Sequence, residues 1–172
     1  MKTIAFILCF TFLFSSCDRL FKDDELLLSK TPYLGDELRI DGYYYYQKVE
    51  DEKYTLIVFL YKNGIIISTR AYPFLDVAVV ETEMMKEYDE IVKDKTRWGI
   101  FAVDNNKIKY ERWVSPTEGI TVRKSTGYIE NDTTFHITEH YFSYNQKIYY
   151  VNEVWHFKKF DNKPDSTNNF IK

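Results

Sequence analysis

Thr55-Leu56-Ile57-Val58-Phe59-Leu60-Tyr61-Lys62-Asn63-Gly64-Ile65-Ile66-Ile67-Ser68-Thr69-Arg70-Ala71-Tyr72 is the stretch from which the fold is read. Two runs rich in β-branched and aromatic residues flank Asn63-Gly64. Asn-Gly in that setting is a strong hairpin signal, because both residues tolerate the positive φ of a two-residue type I′ turn. Strands are therefore expected over Thr55–Tyr61 and Ile65–Tyr72. Pairing about the turn puts Val58, Leu60, Ile65 and Ile67 on one face. The opposite face carries Ser68 and Arg70 but also Ile57, Phe59 and Ile66, so part of it must be covered too.

Working outward, Arg39–Gln47, with four consecutive tyrosines from Tyr43 to Tyr46, reads as the strand before this hairpin. Downstream, Arg97–Val103, Lys107–Val114, Ile120–Glu130, Thr133–Phe142 and Tyr149–Phe160 read as five more. Asn105-Asn106 and Asn131-Asp132 are their turns, and Ser115–Gly119 a longer loop. The aromatic share, 18% with 15 Tyr and 13 Phe, suits the half-buried surface of a sheet. One segment breaks the period of two. Over Asp76–Lys93 the apolar residues Val77, Val80, Met84, Tyr88 and Ile91 fall three and four apart, which predicts a helix with Asp76 as N-cap and Pro73 ending the third strand. Its single apolar stripe suits packing on the sheet or plugging one barrel end. The fold class is all-β: about eight antiparallel strands with one helix between the third and fourth. A meander of that many strands removes its edges by closing.

Asp41-Gly42-Tyr43-Tyr44 at the start of the first strand, the ladder of short hairpins and the chain length of 172 residues resemble the lipocalin-like, or calycin, barrels. Tyr44 stands where the lipocalin Gly-x-Trp pattern has Trp, and the helix precedes the fourth strand instead of following the last. The resemblance implies an up-and-down barrel that carries a small molecule.

The N-terminus reads Met1-Lys2, an apolar run from Ile4 to Phe14, then Ser15-Ser16-Cys17. That is a charged n-region, a short h-region and small residues before a cysteine. The run is shorter than the ~20 apolar residues that span a bilayer. The pattern resembles the lipobox of bacterial lipoproteins, with Phe14 where Leu is usual, and the resemblance implies that Cys17 is acylated and becomes the mature N-terminus. The expected layout is a signal peptide over 1–16, a lipidated N-terminus and tether over 17–38, the barrel over 39–160 and a loosely ordered tail over 161–172. Cys9 would leave with the signal peptide, so the mature domain has neither a disulfide nor a thiolate metal site. The expected address is the cell envelope, in the outer membrane on its periplasmic or cell-surface face. Asp18, Asp23, Asp24 and Glu25, interrupted by Arg19 and Lys22, resemble the short acidic run of surface-directed lipoproteins and equally suit a solvated linker.

With 23 basic against 26 acidic residues, the chain has no strong basic field to attract nucleic acid. His136-Ile137-Thr138-Glu139-His140 matches a metalloprotease string, but that chemistry needs a helix. On a strand the two histidines would share a face roughly 13 Å apart, too far to chelate one ion. No nucleophile elbow or phosphate-binding glycine loop is present, so no metal, cofactor or catalytic residue is expected.

Polar residues on apolar faces carry the remaining signal. A two-residue turn at Asn131-Asp132 sets Tyr128 opposite Phe135 and Lys124 opposite Glu139, with Val122, Tyr128, Phe135, Ile137 and Tyr141 sharing the inner face. About Asn105-Asn106, Phe101, Val103, Ile108 and Tyr110 face inward with Arg112 beside them. In the last strand, either Glu153, Trp155 and Phe157 face in, or Tyr150, Val154 and His156 do. The expected site is thus a barrel mouth lined by Tyr110, Arg112, Lys124, Glu139 and Tyr141. Arg112 would meet an anionic head, and Lys124 and Glu139 would neutralise each other. The expected function is a non-catalytic binding module for a small hydrophobic or amphipathic ligand, held to the membrane by its lipid. Surface interaction or carbohydrate contact through exposed aromatics is the alternative.

Overall fold

The computed structural model describes residues 23–50, 53–73, 75–116 and 119–172, so the expected signal peptide and Cys17 lie outside the described residues. Eight strands follow one another around a closed antiparallel up-and-down barrel: β1 (Gly42–Lys48), β2 (Tyr54–Leu60), β3 (Ile65–Ser68), β4 (Trp98–Asp104), β5 (Lys107–Val114), β6 (Thr121–Asn131), β7 (Thr134–Phe142) and β8 (Lys147–Lys159). Helix α1 (Val77–Ile91) stands between β3 and β4, with the Asp76 carboxylate accepting from the Ala78 N–H at 2.9 Å as N-cap.

Two apolar layers hold the barrel. Inside lie Tyr44, Val58, Leu60, Ile66, Phe101, Ile108, Ile129, Phe135 and Trp155. Phe135 and Trp155 stack at 5.8 Å, interplanar 8°, which adds about 0.5–1.5 kcal/mol to their burial. The second layer is external: Tyr43, Ile57, Phe59, Ile65 and Ile67 are buried beneath Val80, Met84 and Ile91 of α1. This is why Thr55–Ile67 reads as nearly continuous apolar sequence: both faces of these strands are covered. The four tyrosines divide accordingly. Tyr43 faces out and donates to Glu81 at 2.6 Å, whereas Tyr44 faces in and donates to the Asp132 carbonyl at 2.8 Å.

The turn at Asn63-Gly64 differs from the expected type. Leu60 pairs with Ile66 and the Tyr61 N–H donates to Ile65 O, so the loop is Lys62-Asn63-Gly64, with positive φ only at Gly64. A three-residue loop with its last residue left-handed shifts the register by one relative to a two-residue turn. Every side chain of β3 changes face as a result. Ile66 and Ser68 therefore join Val58 and Leu60 on the inner face, and Ile65 and Ile67 lie outside under α1. The third strand also ends earlier than expected, at Ser68.

The segments flanking the barrel are docked, a correction to the tether (as far as it is described) and to the loose tail. The Leu27 and Leu28 N–H groups donate to Glu111 at 2.6 and 2.9 Å, and Trp113 Nε1 donates to the Asp24 carbonyl at 2.8 Å. Further on, buried Tyr33 and Leu38 plug the barrel end that carries the Gly64, Asn105-Asn106 and Asp132-Thr133 turns. In the tail, Lys163 Nζ donates to the Ile40 carbonyl at 2.6 Å and to that of Leu60, and Ile171 is buried beside Phe170 and Trp98. Apolar cover for the outer layer explains why these segments order despite having no regular structure.

Candidate functional site

The barrel end opposite the plug is polar inside. Its residues come from β5 to β8, where the two-residue turn at Asn105-Asn106, with φ of 48° and 61°, sets Phe101 opposite Tyr110 and Val103 opposite Ile108 as expected. Tyr110 and Arg112 thus point inward. Gly99 sits opposite Arg112; a Cβ there would meet the Glu111 carbonyl at 2.2 Å and Arg112 Cβ at 2.7 Å, so only glycine leaves room for the arginine.

Between β6 and β7 the expected register does not hold. The turn residues are Asp132-Thr133, and Glu130 and Thr138 are each an extra, bulged residue. Bulges change which residues face the core. Val122, Lys124, Tyr128 and Tyr141 consequently lie on the outer face, and Glu139 joins them. Lys124 pairs with Glu111 at 3.1 Å rather than with Glu139, which accepts from Thr126 Oγ1 at 2.5 Å. Of the five residues expected at the mouth, only Tyr110 and Arg112 line the interior. Thr138 also puts the two histidines on opposite faces: His136 stacks on Tyr128 outside at 4.6 Å, and His140 is buried inside. Among the described residues no cluster of His, Cys, Asp and Glu could hold a metal ion.

Register instead brings Arg123, Ser125, His140 and Glu153 to Tyr110 and Arg112. Tyr110 pairs with Ser125, Arg112 with Arg123 and Ser125 with His140. In β8 the inward set is Glu153, Trp155 and Phe157, the first of the two parities open from sequence. His140 Nε2 lies 3.0 Å from Glu153 Oε1, and its Nδ1 lies 2.8 Å from Ser125 Oγ. An ionised carboxylate only accepts, so Nε2 carries the proton and Nδ1 of the neutral ring accepts from the Ser125 hydroxyl. Trp155 Nε1 donates to Glu153 Oε2 at 3.1 Å. Burial pulls the His140 pKa below the usual histidine range, against the pull of Glu153, and the charge of Arg123 adds to the lowering. Burial works to raise the Glu153 pKa, but the His140 hydrogen bond and the positive charges nearby outweigh it and hold it below the usual glutamate range. Ser125, His140 and Glu153 line up in the order of a nucleophile–base–carboxylate relay. Ser125 has no exposed surface, and its hydroxyl and the Glu153 carboxylate hold the His140 ring between them.

The arginines are differently placed. Arg112 is 9% exposed, and its Nη1 donates to the Thr96 carbonyl at 3.2 Å. The Nε atoms of Arg112 and Arg123 and the Tyr110 hydroxyl are buried with no hydrogen-bond partner. Among the described residues no carboxylate forms a salt bridge with either arginine. Burial first, then the neighbouring Arg123, push the Arg112 pKa down to about 9, and a guanidinium still keeps its proton at neutral pH. The layer thus holds two positive charges against the single negative charge of Glu153. A recess of about 400 Å³, with Thr96, Arg97, Val114 and Ser115 on its walls, opens beside Arg112. Nearby, β1 and β8 separate beyond Tyr45 and His156, leaving a cleft of about 510 Å³ past Tyr46, whose ring lies 5.7 Å from Trp155.

The chain matches no protein-family model, no curated protein and no solved structure.

Proposed function

We propose that this chain is a bacterial envelope lipoprotein whose barrel is a non-catalytic binding module for a small amphipathic molecule, taken head-first into the polar end. The observation that carries this reading is the pair of inward arginines with unpartnered Nε atoms beside the unpartnered Tyr110 hydroxyl. A buried charge is costly unless paired, and a planar guanidinium fork matches a carboxylate or similar oxyanion. The middle of the barrel is packed with Tyr44, Phe101, Phe135 and Trp155, which favours an amphipathic ligand bound at the end over an apolar one sunk into the centre. Phe142, in β7 opposite Arg123, and Tyr149 pack edge to face at 5.5 Å and supply an apolar rim for the ligand's body.

Matched probes test the reading in a thermal-shift titration. Benzoate should raise the melting temperature and benzylamine should not, and Arg123→Met should abolish the benzoate effect. Equal stabilisation by both probes would reject the arginine head-group site. The alternative reading, surface contact through exposed aromatics, is favoured by one observation: Tyr150 is 83% exposed beside exposed Ile148 and Tyr149.

A further inference from the structure

The N-terminal segment is fixed to one end of the barrel from Asp23 onward. Asp23 pairs with Lys95 at 2.7 Å, two residues before the Arg97 that walls the recess. Asp24 is fixed more firmly. Its N–H donates to the Ile120 carbonyl at 3.1 Å, and its carboxylate accepts from Thr121 at 2.9 Å and from Ser143. Thr121 opens β6, and Ser143 opens the turn from β7 into β8. The N-terminal segment therefore leaves the barrel at its polar end, away from the plug. Only residues 18–22 separate Cys17 from Asp23. Even fully extended, six steps of chain reach about 20 Å.

The same end carries the chain's densest group of exposed apolar side chains among the described residues. Tyr144 lies in the turn that Ser143 opens, and Ile148, Tyr149 and Tyr150 follow at the start of β8. Tyrosine is the residue type that settles at the headgroup level of a bilayer, ring towards the acyl chains and hydroxyl in water. A short tether holds such a surface at high effective concentration near the membrane that carries the anchor.

We infer that the barrel docks polar end down on the bilayer that holds its lipid, with Tyr144, Ile148, Tyr149 and Tyr150 as the contact surface. The inference rests on the lipid anchor at Cys17. The occupant of this surface is the membrane itself, since the tether brings it within reach and holds the opposite end away from it. The recess beside Arg112 then opens towards the membrane, where amphipathic anions concentrate.

Depth-dependent quenching tests this with the acylated full-length chain. Tyr150→Cys and Lys107→Cys, both at exposed positions and at opposite barrel ends, are labelled with an environment-sensitive fluorophore. The proteins are reconstituted in vesicles of phosphatidylethanolamine and phosphatidylglycerol containing headgroup-nitroxide lipid. The expected result is that the label at position 150 loses roughly half its emission, as for a group seated at the interface, while the label at 107 is unchanged. Quenching at 107 alone, at both sites equally, or at neither in a protein whose N-terminal peptide carries the acyl mass would overturn the docking geometry and leave the anchor standing. A Cys17 peptide without acyl mass would overturn the anchor, and the docking with it.

Discussion

Replacing Glu153 by Gln isolates the charge in the interior layer while keeping its volume. Glu153 accepts from His140 Nε2 at 3.0 Å and from Trp155 Nε1 at 3.1 Å, and its side chain is 13% exposed. Glutamine has one acceptor oxygen, so one of these bonds is lost and the other becomes neutral. With bonds to charged groups worth about 1.5–3 kcal/mol and neutral ones about 1 kcal/mol, that costs roughly 2 kcal/mol. The inward arginines also lose their balancing carboxylate, worth on the order of another 1–2 kcal/mol at a surface-like effective dielectric of about 20. The total, roughly 3–4 kcal/mol, matches the usual cost of leaving a buried charge uncompensated. In a urea titration at pH 7 followed by circular dichroism, the midpoint should fall with the slope unchanged. The melting temperature should drop by roughly 5–15 °C for a chain of this size. Arg123→Met in the Glu153→Gln background should restore more than about 1.5 kcal/mol, because it removes one of the uncompensated charges. A loss under about 1 kcal/mol for the single variant, or strict additivity in the double one, would refute the claim that the layer is short of negative charge.

Three further outcomes are expected. The His140 pKa lies below its ordinary 6.5 in the folded chain and that of Glu153 below 4.5; the unfolded state therefore binds protons first, and the stability these groups contribute is full above those ordinary values, declines below them and is lost as pH falls through the lower folded-state values. Unfolding free energies at pH 7 and pH 5.5 should thus differ more in the parent chain than in His140→Gln, and an unchanged difference would remove His140 from the account. Gly64→Val places a Cβ 2.3 Å from the Thr31 carbonyl at φ +80° and should cost on the order of 2–3 kcal/mol in a urea titration; an unchanged midpoint would contradict the left-handed turn. Cys17→Ser should move the processed chain from the membrane pellet to the soluble fraction, and a processed variant that still sediments would remove the lipid anchor.

Period and turn chemistry determined the elements of this barrel. Alternation with aromatic and β-branched residues marked the eight strands, spacing of three and four marked α1, and the Asp76 cap was legible because its carboxylate meets a nearby N–H. Where a turn had the two residues its sequence advertised, as at Asn105-Asn106, the inward face followed correctly, and Tyr110 and Arg112 with it. Tertiary structure alone decided the rest of the site. A one-residue difference at Gly64 and bulges at Glu130 and Thr138 each reverse which face looks inward, and nothing local in the sequence marks them. Hydrophobic contrast did not correct the error, because α1, the tail and the N-terminal segment bury much of the outer face of β1–β6, so inward and outward residues there are alike in polarity. His140 and Glu153 became neighbours only through that shifted register. The ends of the chain looked polar and loose because their ordering comes from long-range contacts, Glu111 with Leu27 and Leu28 and Lys163 with two barrel carbonyls. Such contacts exist only once the barrel has closed and set those partners in place.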